Sequence, residues 1–115
     1  PHRYRRAADA LVDFAIEHRL RVLILLRSTT GGPYQDQRRR VIGHLVAGAL
    51  RHFGVASAGE RGPTFAFGLE EIYRNYVGSL VRILERFEEP AEIRAAIGTF
   101  ERYHLVGLQA YFTES

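Results

Sequence analysis

Apolar residues recur every three to four positions over most of this chain, and two long amphipathic stretches fill its second half. In residues 64–87, Leu69, Ile72, Tyr73, Tyr76, Val77, Leu80, Val81, Ile83 and Leu84 cover roughly half of a helical wheel. In residues 90–112, Ile93, Ala96, Ile97, Phe100, Tyr103, His104, Gly107, Leu108 and Tyr111 form a narrower stripe. A surface helix docks on one core through an apolar stripe of about 100°. The surplus predicts two contacts at once, one within the chain and one with something outside it. The simplest outside partner is a second copy of the same helix pair, closing a four-helix bundle across a two-fold axis.

The first half reads as helical too. Residues 4–18 place Ala7, Ala8, Leu11, Val12, Phe14, Ala15 and His18 on one broad face, opposite Asp9, Asp13 and Glu17. Residues 20–26 (LRVLILL) alternate like a strand, yet the run also fits a helix buried on most sides. No other segment reads as a strand, and a lone strand leaves its backbone groups unpaired, so the run is expected to be helical. Residues 28–32 (STTGG) predict a loop, and the next helix is well punctuated. Pro33 and Asp36 suit its start, Arg51 and His52 its last turn, and Gly54 its stop. Its apolar face is Val41, Ile42, Leu45, Val46, Ala49, Leu50 and Phe53. Residues 55–63 are expected to be a flexible connection. Glu88, Glu89 and Pro90 end one long helix and start the next. The expectation is one all-α domain over residues 1–115, a bundle of four to five helices.

Composition narrows the class. A chain of 115 residues with 46% hydrophobic and 25% charged residues fits a single soluble globular domain. With no Cys, there is no disulfide framework and no thiolate chemistry. No signal peptide or membrane span is visible, so a soluble, cytoplasmic protein without membrane contact is expected. Met is absent even at position 1, which predicts that residues upstream of Pro1 are missing. All 16 basic residues are Arg, which we read as codon bias of a GC-rich genome rather than recognition chemistry. A formal charge of +3 is too small to argue for nucleic acid.

Few residues suggest chemistry. His18 and His104 lie inside apolar stripes, where an imidazole either orients a ligand or is a core histidine satisfied by a carbonyl or a Tyr hydroxyl. Glu101 and His104 form a single ExxH spacing, whereas di-iron carboxylate bundles need two copies. Arg38, Arg39 and Arg40 could form a phosphate-binding patch, but they fan out over about 200° of a helix and read rather as a solvated face, with Arg40 in reach of Asp36. The aromatics Phe14, Phe65, Phe67, Tyr73, Tyr76, Phe100, Tyr103 and Tyr111 are first of all core, but bulky rings can also frame a site for a flat apolar ligand. There is no nucleophile–base pair, paired-carboxylate site or phosphate-cradling Gly motif. Neither an enzyme nor a cofactor or metal is expected.

In order, these elements resemble the C-terminal regulatory domain of the TetR family of transcriptional repressors. AIEHRLRVLILLRS is similar to the family's helix that runs into a short helix facing the ligand cavity. GGPYQDQRRRVIGHLVAGALRHFGV resembles its mid-domain helix with a Gly stop. FGLEEIYRNYVGSLVRILERFEEPAEIRAAIGTFERYHLVGLQAYF resembles its terminal, dimerising helix pair. The likeness is one of layout and covers nearly all of the chain. It implies a domain that binds a small inducer and alters the spacing of two DNA-reading heads. The family's N-terminal helix-turn-helix is not in this sequence, so operator DNA is expected as a partner only through an upstream domain.

The expected pocket lies among the first helix, the LRVLILL segment, the mid-domain helix and the first long helix. Its expected lining is Phe14, His18, Leu25, Leu45, Tyr73 and Tyr76, around a small apolar or aromatic inducer. The expected homodimer interface is Phe100, Tyr103, Gly107 and Tyr111. The rival reading is an all-α homodimeric interaction module without a small-molecule ligand. A metal–carboxylate enzyme stands third.

Overall fold

The computed structural model describes residues 2–27 and 35–114, with side chains described for 9–27 and 36–114. The predicted loop at 28–32, Pro33, and the side chains of Ala7 and Ala8 lie outside these residues. Five α-helices follow one another: α1 (His2–Glu17), α2 (Arg19–Leu26), α3 (Gln35–His52), α4 (Pro63–Arg86) and α5 (Pro90–Glu114). No strand occurs among the described residues. The alternating LRVLILL run is α2, turned off the end of α1 at His18, whose φ and ψ are −114° and 35°.

The connection at 55–63 carries more structure than a flexible linker. Val55 is buried, and residues Ala58–Arg61 form one 3₁₀ turn. Gly54 at φ +70° ends α3, with the Val55 amide donating to the Leu50 carbonyl oxygen at 2.9 Å. That six-to-one bond is a Schellman stop, which needs the left-handed backbone that glycine tolerates. At the other break, the Ile93 amide donates to the Glu89 carbonyl oxygen at 3.0 Å, so α5 begins at Pro90, where the missing N–H costs nothing.

α4 is the centre of the molecule and packs on α2, α3, the 3₁₀ turn and α5. Leu69, Tyr73, Tyr76, Val77, Leu80, Val81 and Leu84 are all buried there. The surplus apolar surface of α4 is taken up inside the chain, by α2 and α3 together with α5, and does not by itself require an outside partner. The face of α1 is also rotated from expectation. Val12, Ala15 and Ile16 turn to the core, while Leu11 and Phe14 stand exposed. Packing on α5 and α2 at once selects a different arc from the one richest in apolar residues.

Arginines tie helix ends to distant neighbours. Arg19 Nε donates to the carbonyl oxygens of Leu84 and Phe87 at 2.7 and 3.1 Å, closing the C-terminus of α4. Arg38 Nη1 donates to Leu26 O at 2.5 Å, at the end of α2. Arg61 Nη1 donates to Phe112 O at 2.5 Å, near the end of α5, with its guanidinium over the Phe65 and Phe112 rings. The last carbonyls of a helix lack intrahelical donors and carry partial negative charge, so each cation satisfies both needs.

Candidate functional site

A cleft of about 430 Å³ opens between α3 and α4, lined by Arg38, Arg39, Ile42, Gly43, Val46, Ala58, Ala66, Glu70 and Arg74. Helical spacing explains the lining. Arg39, Gly43 and Val46 recur along one face of α3, and Ala66, Glu70 and Arg74 along one face of α4. Small residues keep it open. A Cβ added at Gly43 would meet nothing within 4 Å.

The cleft lining carries an excess of positive charge, with Arg38 and Arg39 from α3 and Arg74 from α4 against the single carboxylate of Glu70. Arg74 takes Glu70 at 2.9 Å and Glu71 at 3.4 Å, and Arg39 lies 3.9 Å from Asp36. Among the described residues, neither Arg38 nor Arg82 has a carboxylate partner. Arg82 donates only to Ser79 Oγ, at 3.2 Å. Guanidinium nitrogens of Arg82 and Arg38 lie 3.5 and 3.7 Å from the point a Cβ would occupy on Gly78, so the two cations crowd one spot. Burial, then the charges of Arg74 and Arg82, lower the Arg38 pKa from its usual value. The arginine run thus departs from expectation: Arg39, not Arg40, is the ion-pair partner of Asp36, and Arg38 turns inward to Leu26.

The six residues expected to line a pocket fall into separate places. Phe14 and His18 form a ring pair at 4.6 Å, with Phe14 exposed and His18 half-buried at the α1–α2 turn. Leu25 is exposed on α2, and Leu45 packs from α3 against the core. Tyr73 and Tyr76 are buried 5.8 Å apart against α5. Neither the α3–α4 cleft nor the α4–α5 groove is lined by any of the six.

Tyr73 and Tyr76 belong instead to an aromatic wall with Phe100 and His104. His104 lies 5.1 Å from the Tyr73 ring and 4.6 Å from the Tyr76 ring, and Phe100 lies 5.6 Å from Tyr76. The Tyr76 hydroxyl donates to Glu101 Oε1. Burial raises the Glu101 pKa, an effect that this hydrogen bond opposes. His104 is 5% exposed, its Nε2 has no hydrogen-bond partner among the described residues, and desolvation lowers its pKa from 6.5 to about 4. The imidazole is therefore neutral and enclosed by rings at physiological pH. Glu101 and His104 are the residues that would ligate a metal in the ExxH reading. No cluster of three or more His, Cys, Asp or Glu that could hold a metal ion occurs among the described residues.

The four residues expected at a dimer interface also divide. Tyr111 is docked on its own chain, stacked 4.8 Å from Phe65 and donating to Phe65 O at 2.8 Å. Tyr103 is 77% exposed, and Gly107 and Val106 are exposed beside it. Half-buried Phe100 borders an open, largely apolar groove of about 670 Å³, with Ser79, Arg82, Ile83, Glu85, Arg86 and Phe87.

Of the cleft arginines, Arg38 and Arg39 were read from sequence as a solvated face and Arg74 was missed. Arg74 and Arg82 had a periodic signal, since both sit two turns apart on α4 within a polar band that also holds Glu70 and Glu71. Arg38 had none, because its inward turn depends on where α2 ends in space. No helix of the described residues is long and apolar enough to cross a membrane. No protein-family model matches the chain, and comparison with curated proteins and with solved structures finds no match.

Proposed function

We propose that this chain is the small-molecule-sensing and dimerisation domain of a TetR-like transcriptional regulator, with DNA contacts supplied by a separate helix-turn-helix. The supporting observation is the position of α4. One side of it walls the α3–α4 cleft, and its far half, with α5, walls the groove bordered by Phe100. A ligand in the cleft separates α3 from α4, and a shifted α4 changes the surface offered to a second copy. A ligand shifts such an equilibrium only by its difference in affinity for the two arrangements. The coupling therefore rests on α4 moving as a rigid rod, which its 24-residue length and central packing favour.

Light scattering combined with thermal melts over a panel of apolar acids, alcohols and aromatics tests this reading. The expected result is a dimer at tens of micromolar and at least one compound that raises the melting temperature in a concentration-dependent way. A monomer overturns the proposal. A dimer inert to every compound favours the second reading, an all-α interaction module without a ligand. The filled aromatic wall of Tyr73, Tyr76, Phe100 and His104 supports that alternative, since rings occupy the space between α4 and α5.

A further inference from the structure

We infer that the α3–α4 cleft takes a small molecule whose apolar body ends in a carboxylate, with the carboxylate held by Arg38 beside Arg74, and Arg82 adding its charge from behind Arg38 at Gly78. This rests on the sensor reading and narrows it from an apolar ligand to an anionic amphiphile. Three observations lead there. The cleft volume of about 430 Å³ lies within the usual range for small-molecule sites, about 300–1,000 Å³. Its floor is apolar, formed by Ile42, Val46 and Ala66, and so suits a hydrocarbon or aromatic body. Its lining sets Arg38, Arg39 and Arg74 against one carboxylate, Glu70. Glu70 and Glu71 are both paired to Arg74, while Arg38 and Arg82 crowd the backbone at Gly78 with no carboxylate partner among the described residues.

Like charges held close in a partly buried site repel, and a bound anion converts that repulsion into attraction. Guanidinium is suited to the task, because its planar fork meets a carboxylate with two parallel hydrogen bonds. A neutral ligand of the same shape leaves the cations unpaired and gains only the apolar contacts. Arg38 also holds the last turn of α2 through Leu26 O at 2.5 Å. A carboxylate on Arg38 competes with that carbonyl, so binding loosens the α2–α3 contact as it fills the cleft.

The test is a binding titration followed by NMR at the Gly43 and Ala66 amides, using octanoate and naphthoate against octanol and naphthol, with inorganic phosphate as the bare anion. The expected result is saturable binding of at least one carboxylate in the cleft. It should be about tenfold or more tighter than its neutral analogue and than phosphate, since hydrogen bonds to charged groups are the strong ones. Arg82→Gln, which gives up only a bond to Ser79, should weaken the carboxylate several-fold and leave the alcohol unchanged. Gly43→Phe should abolish both by filling the cleft without altering charge. Arg38→Gln should bring the carboxylate to the level of the alcohol, with a thermal melt confirming that the variant is folded. Equal binding of carboxylate and alcohol overturns the inference and leaves the sensor reading standing. Phosphate binding as tight as the carboxylate overturns it in favour of a bare anion patch. Shifts confined to the α4–α5 groove overturn the placement. If none of the five probes reaches the cleft, the inference fails, and the compound panel above then decides the sensor reading separately.

Discussion

The hydroxyl of Tyr111 lies over Gly68, held there by its hydrogen bond to the carbonyl oxygen of Phe65 at 2.8 Å. The α4–α5 contact is this close only because position 68 has no side chain. A Cβ added there would collide with the hydroxyl and lie 3.1 Å from the ring carbon that bears it. Replacing a mid-helix glycine by alanine ordinarily stabilises by about 0.5–1 kcal/mol. Gly68→Ala should reverse that sign and cost about 1–3 kcal/mol by overpacking. Gly98→Ala, where nothing lies within 4 Å, should show the ordinary gain. Urea denaturation of both variants decides the matter, and adding Tyr111→Phe should recover part of the Gly68→Ala loss.

His104 sets a pH dependence. Its folded pKa of about 4 lies below the usual 6.5, so the unfolded chain binds the proton more readily. Its contribution to stability is present above pH 6.5 and is lost as pH falls towards 4, by an amount on the order of 3 kcal/mol. Glu101 acts in the opposite sense. Its raised pKa favours the folded state when protonated, and that gain disappears as pH rises through its folded pKa. The difference between wild type and His104→Leu isolates the histidine. The variant should be more stable than wild type at pH 5 and lack the slope between pH 6.5 and 4.

Arg19→Ala should release the C-terminus of α4. Two hydrogen bonds from one cation, to Leu84 and Phe87, disappear, leaving part-buried carbonyl oxygens unsatisfied. The expected loss is about 1–3 kcal/mol. Arg19→Lys should recover only part of it, because an ammonium lacks the planar fork. Urea midpoints with unchanged slopes would confirm that the native state alone is affected.

Dimerisation should depend on the outer face of α5. Tyr103 is 77% exposed and contributes little to the fold of its own chain. Tyr103→Arg should yield a folded monomer, since an aromatic anchor buried at an interface is worth a few kcal/mol. Light scattering and circular dichroism together read both outcomes. A variant that remains dimeric places the interface elsewhere.

Helix positions followed from local pattern alone. The stop at Gly54, the break at Glu89–Pro90 and the amphipathic course of α4 are properties of a few neighbouring residues, and a 3.6-residue period carries them wherever the helix lies. The all-α class followed for the same reason, including the helical state of LRVLILL, since a single strand had no partner. The width of the α4 stripe announced a helix packed on two sides, but not that both sides would be supplied by this chain.

Tertiary packing decided the rest. Arg19 reaches a carbonyl 65 positions away, and Arg38 finds the end of α2 12 positions back. No local period encodes such meetings, which depend on the angle and offset of two helices. The same holds for the cleft. Phe14 and Tyr73 each lie on an apolar arc, yet α1 rotates Phe14 outward and α5 covers Tyr73. What remained open between α3 and α4 was the space left by Gly43 and Ala66, with Arg38 and Arg74 at its rim. A cavity is set by the atoms that fail to fill it, and that sum is known only once every helix has taken its place.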